Sequence, residues 1–195
     1  ARAGGEAPGG GGARVPARRA DVAGRPTLHF LSGNGFCGGV YWPFLKRFLP
    51  HYGVFTHDIE GHGDSEAPAH FSGVGAVARR IPQVMAEQGL TDGRPLVGIG
   101  HSFGAAMTLK VAADNPGLFR AIVLLDPIVF PDLVWFGIRA MAAVGLHPMV
   151  KAALRRRREW PSRAEALDRL RDRGIYRGWT EESLECFVDY ATRDE

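Results

Sequence analysis

The stretch LVGIGHSFGAAMTL, Leu96 to Leu109, constrains the fold more than any other part of the chain. An apolar run of strand length enters a serine flanked by glycines two residues before and two after, and small residues at helical spacing leave it. Strand, tight turn and helix in immediate succession force Ser102 into a cramped backbone. Glycine at positions 100 and 104 removes the Cβ atoms that would collide with neighbouring chain. Such a turn lifts the serine hydroxyl above the sheet, with the N–H groups of the helix start pointing at it. The competing reading is a Gly/Ser turn that satisfies only its own backbone. The strand before and the helix after favour the nucleophile.

The rest of the chain supplies a matching scaffold. TLHFL (27–31), GVFTHDI (53–59), PLVGIG (95–100) and RAIVLLD (120–126) are strand candidates, rich in β-branched or aromatic residues. Helical patterns run over 41–49, 74–88 and 105–115. Strand, helix and strand at this spacing require crossovers, so the predicted class is α/β, a mostly parallel sheet with flanking helices. Ligands collect at the carboxyl ends of such strands. The loops Ser32–Phe36 and Asp58–Ser65, the Ser102 turn and Asp126-Pro127 should therefore face one cleft.

After Pro131 the pattern is helical. Ser162 with Glu165 three positions on reads as a capping box, and Thr180 caps a segment with acids in its first turn. Residues 27–127 are predicted to form the core and 128–195 a helical lid. Residues 1–26 hold Gly, Ala, Arg and Pro with hardly any core-forming side chains, so they are predicted to be disordered or poorly packed.

Composition narrows the function. A chain of 195 residues that is 45% hydrophobic can bury one sizeable core. A net charge of +3 gives no reason to expect a nucleic-acid partner. Cys37 and Cys186 lie far apart with no Cys/His cluster, which argues against zinc and against a disulfide framework. No metal or cofactor is expected, no window is long and apolar enough for a membrane span, and the expected location is cytoplasmic.

Three motifs in order resemble the α/β-hydrolase fold family. FLSGNGF looks like its oxyanion loop, DIEGHGDS like its Dx(P/E)GHGxS turn, and GHSFG like its nucleophile elbow; LFRAIVLLDP is similar to the strand that follows. The resemblance runs from about Thr27 to Pro127. It implies that Ser102 is the nucleophile and that the backbone N–H of Phe103 is one oxyanion donor. The second donor falls on Asn34 or Phe36, with Asn34 preferred. The serine at the elbow disfavours the aspartate chemistry of similar dehalogenases and epoxide hydrolases. The implied activity is hydrolysis of an ester, thioester or related acyl bond of a small-molecule substrate through a covalent acyl-serine.

Ser102 needs a histidine base and a carboxylate behind it, in the chain order Ser, acid, His. Of seven histidines only His147 follows Ser102, in a lid segment rather than after a strand. Asp126, at a strand end, is the candidate acid. The last strands of the family, with its usual acid and base, have no counterpart before Glu195. The chain therefore reads as an N-terminal portion of a hydrolase, with a catalytically incomplete ligand-binding relative as the alternative. Asp58 and His62 read as structural residues of their turn. Arg155–Arg158 reads as a solvated helix end, with binding of an anionic substrate as the other reading.

Overall fold

A computed structural model describes residues 17–21, 24–130, 134, 137, 141 and 159–192. Among them, five strands form one sheet: β1 (Ala17–Ala20), β2 (Thr27–Leu31), β3 (Gly53–His57), β4 (Leu96–His101) and β5 (Ala121–Leu125). Their order is β1-β3-β2-β4-β5. β2, β3, β4 and β5 run parallel, and β1 pairs antiparallel with β3. The α/β class and its mostly parallel sheet are as the alternation of apolar and amphipathic segments implied.

The helices that cross between strands are α1 (Trp42–Leu45), α2 (Val74–Glu87) and α3 (Phe103–Asp114). α2 and α3 cover one face, where Leu31, Phe55, Ile81, Met85, Met107 and Val111 form a buried cluster. The other face packs Leu28, Phe30, Val54 and Ile99 against Leu45 of α1. Successive strand residues point to opposite faces, so Leu28 and Phe30 enter one layer while Leu31 enters the other. With both faces covered, a central strand must be apolar throughout, which is why TLHFL and GVFTH are buried at every position.

Two details differ from the sequence reading. The continuous helix expected over 41–49 is three short pieces: a 3-10 turn at Gly38–Tyr41, then α1, then a second 3-10 turn at Lys46–Phe48. Leu45 is its deep anchor, whereas Trp42 and Phe44 are 39% and 37% exposed.

The expectation of a disordered or poorly packed 1–26 fails at β1. Ala17–Ala20 registers against Val54–His57, Ala17 packs on the core, and Arg18 reaches the carboxylate of Asp58 at 3.3 Å. Ordering here comes from a backbone ladder and a charge pair. A count of apolar side chains registers neither.

Towards the C-terminus, α4 (Arg163–Leu170) and α5 (Glu181–Ala191) share a small core of Ala166, Leu167, Leu170, Leu184 and Val188. Their N-caps are the predicted ones. Ser162 Oγ accepts the Glu165 N–H at 3.1 Å, and Thr180 Oγ1 accepts the Ser183 N–H at 3.2 Å. α5 rests on the Gly38–Tyr41 turn: a Cβ on Gly39 would strike the Tyr190 side chain, and the Cys37 thiol donates to the Tyr190 carbonyl at 3.2 Å. His147 and Arg155–Arg158 lie outside the described residues. No helix among the described residues is long and apolar enough to cross a membrane.

Candidate active site

β4 delivers the chain to the carboxyl rim of the sheet, and α3 takes it away at once. Ser102 sits between them at φ 53° and ψ −115°. Positive φ in a residue with a Cβ costs on the order of 1–3 kcal/mol and persists only where the surroundings enforce it. Here they do. The Ser102 N–H donates to the Leu125 carbonyl at 2.9 Å, and its own carbonyl accepts the Ala106 N–H at 3.1 Å. A Cβ on Gly100 would collide with backbone of Gly104 and Ala105, and one on Gly104 with the carbonyls of Leu31 and Ser32. The glycines thus let β4, α3 and the end of β2 meet at one point. Phe103 is the first residue of α3, so its N–H lies outside the helical ladder, at the positive end of the helix.

The loop after β2 is held against this turn from several sides. Gly33–Phe36 is a tight turn closed by the Phe36 N–H on the Gly33 carbonyl at 3.1 Å, with Gly35 in the left-handed region at φ 80°. Ser32 Oγ donates to the Phe36 carbonyl at 3.0 Å. The Gly33 N–H donates to the Tyr41 hydroxyl at 3.2 Å. Two of the loop's N–H groups are therefore committed inside the protein. That of Asn34 has no protein acceptor among the described residues. The Asn34 carboxamide meets His62 Nε2 at 2.9 Å, while His62 Nδ1 faces the Glu60 carbonyl at 3.0 Å. Nδ1 is thus protonated, and Nε2 either accepts from the Asn34 amide or, in the imidazolium, donates to it.

Asp58 ends β3 in full burial. One carboxylate oxygen accepts the Gly38 N–H at 2.8 Å, and the other meets Arg18 at 3.3 Å and the Asp64 N–H at 3.4 Å. Ser65 Oγ donates to its carbonyl at 2.6 Å. Arg18 also reaches Asp64 at 3.2 Å and lies over the Tyr190 ring at 4.9 Å. The buried acid therefore ties β1, the GHG turn, the loop before α1 and α5 together. Burial and the Asp58 charge push the Cys37 thiol beside it up to about 11, so that cysteine stays protonated.

Of the residues singled out from sequence, Ser102, Phe103, Asn34 and Asp126 all fall on this rim. Asp126 follows Leu125, whose carbonyl takes the Ser102 N–H, so the carboxylate-bearing residue stands beside the turn at φ 47°. It is exposed, and its side chain makes no hydrogen bond or ion pair among the described residues. No imidazole bonds to Ser102 Oγ among the described residues, nor do three or more His, Cys, Asp or Glu side chains gather as metal ligands there. Sequence reasoning did not link Tyr41 to His101, yet the Tyr41 hydroxyl lies 2.8 Å from His101 Nδ1, directly before Ser102. The available signal was a histidine closing an otherwise apolar strand.

A parallel sheet crossed by helices, with a serine in a left-handed turn between strand and helix, defines a class, and comparison with known proteins agrees with it. The chain belongs to the alpha/beta hydrolase family, whose sequence profile matches residues 30–192. It is 37% identical over 106 residues to the lipase LipV of Mycobacterium tuberculosis, a match covering 54% of this chain and 38% of that protein. It is also 37% identical over 103 residues to the type I acyl-CoA thioesterase mpaH of Penicillium brevicompactum, covering 52% of this chain and 22% of the relative. The matched stretch thus spans under two fifths of either curated relative. Among solved structures, the thioesterase domain from the curacin biosynthetic pathway superposes with a TM-score of 0.69 at 20% identity, over 93% of this chain and 64% of that one. That last likeness is one of fold.

Proposed function

We infer that this chain carries the nucleophile and oxyanion donors of a serine hydrolase acting on an ester, thioester or related acyl bond of a small molecule. The observation that carries the reading is the backbone of Ser102, strained at φ 53° on the turn between β4 and α3. Strain at one serine, enforced by glycines on either side, is what a reactive hydroxyl aimed out of a sheet requires. The relatives named as lipase and acyl-CoA thioesterase support acyl chemistry.

In this reading Ser102 Oγ attacks the acyl carbon while its proton passes to a histidine base, and the carbonyl electron pair moves onto oxygen. The N–H groups of Phe103 and Asn34 receive that oxyanion. Asn34 is favoured over Phe36 because the Phe36 N–H is spent closing its own turn. Collapse of the intermediate expels the alcohol or thiol, protonated by the same histidine, and leaves the acyl-serine for water to cleave. Asp126 is the candidate acid behind the base. Within this chain His147 is the candidate base.

Full-length protein incubated with a fluorophosphonate probe is expected to be labelled at Ser102. Well-folded protein that takes no label overturns the reading. The second reading, a catalytically incomplete ligand-binding protein, rests on the lack of an imidazole on Ser102 Oγ among the described residues. It requires a ligand-dependent thermal shift without release of alcohol from an activated ester.

A further inference from the structure

Tyr41 stands between the Ser32–Phe36 loop and the residue before Ser102. Its hydroxyl is 3.2 Å from the Gly33 nitrogen and 2.8 Å from His101 Nδ1. Building on the hydrolase reading above, we propose that Tyr41 is a positioning residue that locks the Ser32–Phe36 loop to the Ser102 turn through a directed chain, Gly33 N–H to Tyr41 Oη–H to His101 Nδ1.

The direction follows from counting protons. A backbone N–H can only donate, so the phenol oxygen accepts from Gly33. Burial raises the Tyr41 phenol to about 12, so it keeps its proton, which needs an acceptor. His101 Nδ1 is the one in reach among the described residues. Nδ1 is therefore bare, and a neutral His101 carries its proton on Nε2.

Packing makes the link rigid. The Tyr41 ring lies 4.7 Å from Phe30, 6.1 Å from Phe36 and 5.8 Å from His101, measured between ring centroids. A Cβ built on Gly33 would stand 2.8 Å from His101 Nδ1 and 3.2 Å from the Tyr41 hydroxyl, so the loop backbone rests directly on both groups. His101 belongs to β4 and precedes Ser102. Asn34 follows Gly33. The chain of bonds therefore fixes the spacing between the nucleophile and the loop's oxyanion donor, a spacing on which transition-state stabilisation depends to a fraction of an ångström.

The test uses the full-length protein, an activated ester and histidine-ring 15N NMR. Tyr41→Phe and His101→Leu should each lower kcat about tenfold with KM within about twofold, because a misplaced donor weakens the transition state and not the bound ester. Tyr41→Phe/His101→Leu should be no slower than the worse single variant, since either change breaks the same link. His101→Asn, whose Oδ1 takes the place of Nδ1, should keep at least about a third of kcat. The NMR spectrum should show His101 Nδ1 unprotonated and hydrogen-bonded, with that signal moving in Tyr41→Phe. A kcat for Tyr41→Phe within about twofold of the parent, additive losses in the double variant, or a protonated Nδ1 overturns the proposal. If the parent protein takes no fluorophosphonate label, the hydrolase reading fails by itself, and the ring spectrum alone decides whether the link exists.

Discussion

Asp58 and Asp126 make an instructive pair. Each follows a parallel strand and each reaches the same rim of the sheet. Asp58 is wholly buried, with both carboxylate oxygens engaged by N–H donors or Arg18. Asp126 is exposed, in a left-handed backbone, with a side chain that touches no partner among the described residues. The Asp58 carboxylate holds the fold together, whereas that of Asp126, beside the Ser102 turn, has no protein donor among the described residues. On one flank of Ser102 the loops are clamped by buried polar contacts; on the other, Asp126 is exposed among the described residues.

The largest effect should come from the residue between the two flanks. Ser102→Ala is expected to abolish probe labelling and to lower ester turnover by about a thousandfold or more, measured as kcat/KM. Asp126→Asn then separates chemistry from structure. Turnover should fall roughly a hundredfold or more if its carboxylate orients the base, while the melting temperature stays within about 2 °C because the group removed is exposed and without partners among the described residues.

Asp58→Asn should do the reverse. It leaves Arg18 facing a neutral amide and weakens the bond to Gly38, at about 2–3 kcal/mol once the one-third exposure of Arg18 is allowed for. In a chain of this size that lowers the melting temperature by roughly 4–12 °C in calorimetry.

The buried flank also carries a pH signature. His29 and His57 stack in the sheet next to Asp58, their ring nitrogens 3.3 Å apart. Burial first, and then the neighbouring Arg80, lower His57 to about 4. Burial first, and then His57, hold His29 well below its ordinary range. Both rings are neutral in the fold, while the unfolded chain takes up protons below about pH 6.5. Their contribution is thus complete above that pH and is lost as pH falls toward 4, at up to about 1.4 kcal/mol per unit for each ring. Thermal melts from pH 7.5 to 5 should show the decline, and His57→Phe should flatten it. The smallest effect belongs to Lys110→Ala. Its pair with Asp114 at 2.9 Å is exposed on one turn of α3, and losing it should change stability by no more than about 0.5 kcal/mol in denaturant titration.

Much of this architecture was legible in the residues themselves. Short β-branched runs, glycines at positions 100 and 104 and caps at Ser162 and Thr180 act through neighbours in sequence, so the strands at 27–31 and 53–57, the turn at Ser102 and the starts of α4 and α5 are readable locally. The continuous helix over 41–49 was the error of that method. Its periodicity did not register that Gly38 and Gly39, in the first 3-10 turn, bring the chain flush against Thr56 and Tyr190.

What sequence alone determined, then, is a parallel α/β sheet whose strand-turn-helix junction strains one serine. Backbone sterics and side-chain period set both within a few residues. Tertiary structure decided the rest, because hydrogen bonds and charge pairs between distant residues leave no local pattern. Arg18 finds Asp58 across 40 positions, and Tyr41 finds His101 across 60. The first holds Ala17–Ala20 beside β3 as a strand, and the second joins the loop that would hold an oxyanion to the turn that would create it.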